Sequence, residues 1–121
     1  MSQFTKGLIV KWLPEESLFK VLVSFKYHVG SEDSKEIVQV AMGFKTDLAS
    51  IPPIARWIIP KLGKHAQAAV LHDFMYRHHT YKRSKCDKVF LEAMKVLKVA
   101  FWKRHVMYRA VRLGGGFVWE K

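Results

Sequence analysis

The sequence predicts an α+β fold in which a small N-terminal antiparallel β-hairpin or sheet packs on a C-terminal bundle of about three helices. Apolar and polar residues alternate over residues 18–29, which is the period of a half-buried strand. Over residues 64–113 the apolar side chains instead recur every three to four positions, as in amphipathic helices. The sequence has no apolar run of about 18 residues, and no long apolar run follows a basic segment near residue 1. We therefore expect neither a spanning helix nor a secretory leader, and synthesis in the cytoplasm.

All 121 residues are predicted to form one domain, and half of them are apolar or aromatic, which is enough for a core. The expected parts are a sheet (1–43), a functional loop (44–63), a helical part (64–113) and a C-terminal tail (114–121). The single cysteine, Cys86, excludes an intrachain disulfide and a cysteine cluster for zinc.

The strands are expected in the N-terminal part of the chain. Residues 6–13 form a short β-prone run that ends at a proline, and the alternating segment 18–29 forms a second strand. A polar turn at 30–35 and a returning strand at 37–42 complete a hairpin. The sheet is expected to end at residue 43.

The loop that follows is too apolar and too rich in proline to be a simple surface loop. Asp47 opens it, and a buried acid there needs a partner. The backbone amides of Ala49 and Ser50 in an Asx-type turn, a cation, or an arginine are the candidates. Residues 54–62 are predicted to form a short apolar helix or wedge in the core.

Three helices are predicted, at residues 64–79, 84–98 and 100–113. In the third, spacing predicts one buried stripe and an opposite basic side. The stripe is Trp102, Val106, Ala110 and Leu113, and the basic side is Lys103, Arg104, Arg109 and Arg112. The tail around 117–119 is expected to pack back on the protein or to pair with the sheet.

The candidate site lies on the first two helices. His72 and Tyr76 are four residues apart and share a helix face, while Asp73 is turned away by about 100°. Asp87 falls on the apolar stripe of the second helix, so it is expected to point toward the first. A carboxylate that orients an imidazole is the arrangement of a general base, which makes His72 and Asp87 candidate catalytic residues.

Each of these residues also has a structural interpretation. The spacing of Ser84 and Asp87 matches a capping box, so Asp87 alternatively ties down the start of its helix. His72 is alternatively a core histidine whose hydrogen bonds are satisfied.

The net charge indicates the kind of partner. The chain has 21 Lys and Arg against 10 Asp and Glu, a formal charge of +11. Such a field favours an anionic partner, either a phospholipid surface or nucleic acid. It does not choose between them.

Four segments resemble a family common in tailed phages and prophages and catalogued as domain of unknown function 1353. They are GFKTDLASIP at 43–52, AAVLHDFMY at 68–76, CDKVF at 86–90 and MYRAVR at 107–112. The resemblance covers roughly residues 18–119 and implies a phage or prophage origin. It implies no activity.

The candidate site also resembles that of the small secreted phospholipases A-two, especially the bacterial and fungal forms. By that resemblance, Asp47 and Leu48 match the loop that binds calcium, and Asp73 is a calcium ligand. His72 is the base and Asp87 orients it, and the matched pattern also includes Tyr76. Tyr76 and Ser50 are taken as supporting residues, Ser50 because its backbone amide is a candidate partner of Asp47. The glycine-rich calcium loop and paired cysteines of those enzymes are missing here.

Two functions from different classes follow. The first is a phage-encoded, metal-assisted His–Asp hydrolase that uses calcium and acts on esters of lipid or the cell envelope. The second is a non-catalytic virion, tail-assembly or accessory protein that binds nucleic acid or a host protein, with the same polar residues forming a buried cluster. Either protein would be made in the host cytoplasm, and it could be virion-associated. A zinc site built from His65, His72, His78 and His79 is a third option.

Overall fold

The computed structural model of the chain describes residues 3–47 and 63–119 and has two compact units, Met1–Asp47 and Leu48–Lys121. Strands form the described part of the first unit, and helices form that of the second. The α+β class, with small antiparallel sheets ahead of three C-terminal helices, is confirmed. That the whole chain forms one domain stays a prediction.

The described strands of the first unit form two small antiparallel sheets. They are β1 (Val10–Leu13), β2 (Leu18–Val21), β3 (Phe25–His28), β4 (Ile37–Val40) and β5 (Lys45–Thr46). One sheet has the order β1-β2-β5, and the other is the predicted hairpin of β3 and β4.

Residues 18–29 form two strands, not the single strand that their alternation predicted. The chain leaves the first sheet after Val21 and enters the second at Phe25. The buried side follows the alternation, because the side chains of Val21, Phe25 and Tyr27 are all buried. Alternation identifies the buried face but does not show where a strand changes its partner.

The first sheet continues past its predicted end at residue 43. Gly43 has a left-handed φ of 92°, a conformation that glycine adopts easily. Gly43 N–H donates to the Val21 carbonyl at 2.7 Å, and Val21 N–H donates to the Phe44 carbonyl at 2.8 Å. The chain therefore returns along β2 and adds β5.

The three predicted helices are confirmed to within two residues at each end. They are α1 (Ala66–His78), α2 (Arg83–Val96) and α3 (Phe101–Gly114), and a short helix α4 (Gly116–Trp119) follows. α2 packs against both α1 and α3. The core of this unit includes Leu71, Met75, Phe90, Met94 and Met107, which are each almost completely buried.

The rotation of α3 was predicted wrongly. Its buried residues are Met107 and Val111, whereas Trp102 is 54 % exposed and Leu113 is 90 % exposed. Val106 is also exposed, at 40 %. The helix contacts the core through Met107 and Val111, which are four residues apart. Its longer apolar stripe faces away from the core.

The C-terminal tail packs back on the helical unit, as one of the two predictions had it. The Trp119 ring stacks on His79 with a centroid distance of 3.9 Å and meets the Tyr76 ring edge-on at 5.3 Å. Pairing with the sheet is excluded for residues 116–119, because they are helical.

Part of the predicted functional loop lies outside the described residues. This applies to Leu48, Ala49, Ser50 and the expected wedge at 54–62. Within the ranges that the structure describes, no helix is long and apolar enough to cross a membrane.

Candidate functional site

The centre of the site is a buried, hydrogen-bonded His–Asp pair between α1 and α2. His72 Nε2 lies 2.6 Å from Asp87 Oδ1, and the two side chains are 1 % and 0 % exposed. Both residues occupy helix positions that face the neighbouring helix, as the 3.6-residue period predicted. The structure thus brings together the two predicted catalytic side chains, while their catalytic role stays a prediction.

The hydrogen bond defines which nitrogen of His72 carries the proton. An ionised carboxylate can only accept, so Nε2 must be the N–H donor to Asp87. In the neutral ring Nδ1 then keeps its lone pair. Nδ1 is buried, and no described residue forms a hydrogen bond with it. A buried nitrogen with a free lone pair is chemically equipped to accept a proton.

Tyr76 completes the immediate surroundings of the pair. Its hydroxyl donates a short hydrogen bond to Asp87 Oδ1, the same oxygen that His72 contacts. The His72 ring packs against the Tyr76 ring at 4.1 Å and the Phe90 ring at 4.6 Å, measured between centroids. These two rings hold the imidazole plane in place, which is a condition for directional proton transfer.

Two arginines hold the end of α3 beside this pair. Arg112 Nη1 donates to Asp87 Oδ2 at 2.7 Å, so both oxygens of the carboxylate are engaged. Arg83 Nη2 donates to the carbonyls of Val111 and Arg112, each at 2.7 Å. The last turn of α3 is therefore fastened to α2 by both a charge pair and backbone hydrogen bonds.

The electrostatics favour a neutral imidazole beside an ionised carboxylate. Burial lowers the pKa of His72 and outweighs the opposing effect of the hydrogen bond and charge of Asp87. Burial alone would raise the pKa of Asp87, but the hydrogen bonds from His72, Tyr76 and Arg112 lower it below its ordinary value. Burial, followed by the hydrogen bond to Asp87, raises the pKa of Tyr76, so its hydroxyl remains a donor.

Asp87 does not cap a helix, so the capping interpretation is wrong. α2 begins at Arg83 with Lys82 as its N-cap, and this N-cap makes no side-chain hydrogen bond. Asp87 lies inside the helix, where both of its oxygens bind side chains from other helices. The alternative of a core histidine with both nitrogens hydrogen-bonded holds for Nε2, which contacts Asp87. It does not hold for Nδ1, which has no hydrogen-bond partner among the described residues.

Asp73, the predicted calcium ligand, faces a different direction from His72. Its Oδ1 accepts a hydrogen bond from Arg77 Nε at 3.1 Å, one turn along α1. Its Oδ2 is buried and has no hydrogen-bond partner in the described parts of the chain. A buried carboxylate oxygen of this kind suits a hard cation such as calcium.

The rest of the predicted metal sites is not assembled by the described residues. Within 3–47 and 63–119, no group of three or more His, Cys, Asp or Glu side chains is placed to hold a metal ion. Asp47 belongs to the first unit and is half-buried, while Leu48 and Ser50 lie outside the described residues. For the zinc option, His79 instead stacks on Trp119, and His78 Nδ1 lies 3.0 Å from the Phe74 carbonyl.

Sequence reasoning missed the residues around the second carboxylate oxygen. Arg112 was assigned to the basic side of the third helix, because nothing in a single sequence separates a paired arginine from a solvated one. Gly115 was missed as well. A Cβ atom on Gly115 would come within 2.8 Å of the Tyr76 hydroxyl and would also contact the Val111 carbonyl.

The fold and site define a small basic α+β protein with a buried His–Asp pair held between helices. The chain belongs to the family DUF1353, described as protein of unknown function, whose model matches residues 19–111. This match spans the strands from β2 onward and reaches nearly to the end of α3. No curated protein and no solved structure matches the chain.

Proposed function

We propose that the protein is a phage-encoded His–Asp hydrolase that acts on esters of lipid or the cell envelope. The observation that carries the proposal is that Nδ1 of His72 is buried without a hydrogen-bond partner among the described residues, while Nε2 of the same ring is held 2.6 Å from Asp87. A histidine with only a structural role needs neither a lone pair without a hydrogen bond from the described residues on one nitrogen nor an ionised acid on the other.

The chemistry of the proposed reaction follows from the two ring nitrogens. His72 Nδ1 takes a proton from a water molecule while the water oxygen attacks the ester carbonyl carbon. Asp87 stabilises the imidazolium that forms, and Tyr76 holds the carboxylate in position. When the tetrahedral intermediate collapses, the carbon–oxygen bond of the ester breaks and the proton on Nδ1 passes to the departing alkoxide.

Calcium belongs to this proposal as a cofactor. Asp73 would hold it through its buried Oδ2, with Asp47 and Leu48 as the loop ligands that the phospholipase resemblance implies. When bound, the ion would polarise the ester carbonyl and neutralise negative charge in the transition state. An Asp73 oxygen without a hydrogen-bond partner supports this assignment, whereas the Arg77 contact to the other oxygen competes with the metal.

The phage origin and the anionic partner rest on separate observations. The proposed origin in phages or prophages rests on the resemblance of the four sequence segments, since the description of the family itself is protein of unknown function. The formal charge of +11 supports a partner that carries phosphate, and a phospholipid meets this requirement together with the ester. The protein would act in the host cytoplasm or from the virion.

The test is turnover of phospholipid and short-chain carboxylic esters by the purified full chain, with calcium and with a chelator. We expect His72→Gln to lower kcat by at least about a hundredfold, because general-base catalysis supplies about 10²–10⁴-fold. His78→Gln, an exposed histidine on the same helix, is the matched control and should keep full activity. Equal turnover by wild type and His72→Gln would contradict the proposal.

The second candidate is a non-catalytic virion, tail-assembly or accessory protein that binds nucleic acid or a host protein. Its supporting observation is the burial of the pair, since His72 is 1 % and Asp87 is 0 % exposed. If the protein has this non-catalytic function, His72 and Asp87 belong to a hydrogen-bonded cluster that fixes how α1, α2 and α3 pack. It predicts no turnover on any ester and a large loss of stability in His72→Gln, with no effect of calcium.

A further inference from the structure

The apolar stripe of α3 faces solvent, although its spacing is typical of a buried face. Trp102, Val106 and Leu113 lie within about 40° of one another around the helix. Their side chains are 54 %, 40 % and 90 % exposed, while Met107 and Val111 on the opposite side form the buried contact. We call the three exposed residues the α3 apolar face. Its exposure is a cost in free energy that a partner would relieve.

Basic residues surround this face. Arg109 lies in the same angular range and is exposed. The Lys103 ammonium lies 5.6 Å from the centre of the Trp102 ring, at the beginning of the helix. Residues 101–114 contain no Asp or Glu. The face therefore combines three apolar side chains with Arg109 among them and Lys103 beside Trp102, and residues 101–114 provide no acid to offset the charge.

We infer that the α3 apolar face binds the surface of an anionic phospholipid bilayer, with the helix lying in the plane of the interface. Val106 and Leu113 would enter the boundary of the acyl chains, and Trp102 would lie at the level of the headgroups. Arg109 and Lys103 would reach lipid phosphates while their aliphatic stems remain near the apolar region. This inference deepens the proposed function and rests on it for the substrate, because it names the surface where the ester is met.

The same charges argue against the other occupants. Two copies packed through this face would bring Arg109 near its own symmetry mate, and α3 has no acid to pair with it. Nucleic acid would gain phosphate contacts, but Val106 and Leu113 offer no hydrogen bond to a base or a sugar. A lipid interface accommodates both the apolar side chains and the cations of this face.

The location of the face relative to the candidate site supports the inference. Arg112 lies on the same helix, one residue before Leu113, and pairs with Asp87 at 2.7 Å. The helix that would rest on the bilayer therefore also carries a residue of the buried network. α3 is about 21 Å long, so every residue of the α3 apolar face lies within about 21 Å of Arg112 along the helix axis.

The experiment measures binding of the full chain to vesicles of phosphatidylcholine alone and of phosphatidylcholine with phosphatidylglycerol, by co-sedimentation. We expect binding to the anionic vesicles, weakened at least about tenfold by the double variant Trp102→Ser with Leu113→Ser. The matched control is Ile9→Ser with Met42→Ser, two apolar residues of the first unit that are 51 % and 70 % exposed. The control should bind as wild type does.

Charge is tested separately with Arg109→Gln, which should weaken binding several-fold at low salt and have little effect at high salt. Circular dichroism melting of each variant verifies folding, which we expect because every changed residue is exposed. The inference is overturned if the double variant of α3 binds vesicles as wild type does, or if wild type binds neutral and anionic vesicles equally. It is also overturned if that variant loses dimerisation or DNA binding instead.

This experiment separates the inference from the proposed function. His72→Gln should bind anionic vesicles as well as wild type, because His72 is buried away from solvent. Vesicle binding without turnover by wild type would contradict the hydrolase alone. Turnover of a monomeric ester without vesicle binding would contradict the lipid surface alone.

Discussion

At the scale of the residue, Asp87 is a completely buried carboxylate that binds three donors. His72 and Tyr76 share one of its oxygens, and Arg112 binds the other. A buried carboxylate without such partners would be protonated or would destabilise the fold. Its ionisation is therefore maintained by the same contacts that orient His72.

Replacing Arg112 by Gln should lower the free energy of unfolding by about 1–2 kcal/mol. The change removes a hydrogen bond between charged groups from a buried carboxylate, and the 36 % exposure of the Arg112 side chain moderates the loss. Urea unfolding measures it. Arg109→Gln, an exposed arginine on the same helix, should stay within about 0.5 kcal/mol of wild type. Equal stability of the two variants would show that the Arg112 contact has no structural role.

The sequence was sufficient to predict the meeting of His72 and Asp87, because both residues lie on apolar stripes of helices that follow each other closely. It was not sufficient for Arg112. To predict the Arg112 contact one must know which side of α3 faces the core. The longer apolar stripe of that helix indicated the wrong side. The alternative of Asp87 as a capping residue also resulted from spacing alone, before its partners were known.

At the scale of the element, the end of α3 is a closely packed junction of three helices. Arg83 binds the carbonyls of Val111 and Arg112, and Gly115 follows in close contact with Tyr76. Gly115 has a φ of −71°, which any residue can adopt. The requirement for glycine is therefore one of space and not of backbone conformation.

Replacing Gly115 by Ala should destabilise the protein by about 1–3 kcal/mol, because the added methyl group overlaps the Tyr76 hydroxyl and the Val111 carbonyl. Gly116→Ala is the matched control. A Cβ atom there has no neighbour within 4 Å, so this variant should be neutral or slightly stabilising. Thermal unfolding of both variants tests the difference, and equal melting temperatures would contradict the proposed contact.

The bounds of the helices could be predicted from the sequence because a 3.6-residue period extends over 13 or 14 residues in each of them. The strands have four residues or fewer, too short for a period to show where one ends. The change of sheet between Val21 and Phe25 depends on backbone pairing with distant residues, which alternation does not encode.

At the scale of the whole molecule, charge and packing point to the same kind of partner. The formal charge of +11 is accompanied on α3 by an apolar face that the core does not use. Composition alone left phospholipid and nucleic acid as equal alternatives. The exposure of Trp102, Val106 and Leu113 provides the physical reason to prefer the lipid surface, and it became known only once the rotation of α3 was established.

The central claim is that His72 is neutral, with its proton on Nε2 and a free lone pair on Nδ1. Nitrogen-15 NMR of the histidine side chains in the intact chain tests this directly, with His72→Gln to assign the signal. At pH 7 we predict the neutral Nε2–H form, titrating below the ordinary value of 6.5 because burial lowers the pKa. An imidazolium at pH 7, or a proton on Nδ1, would contradict the account.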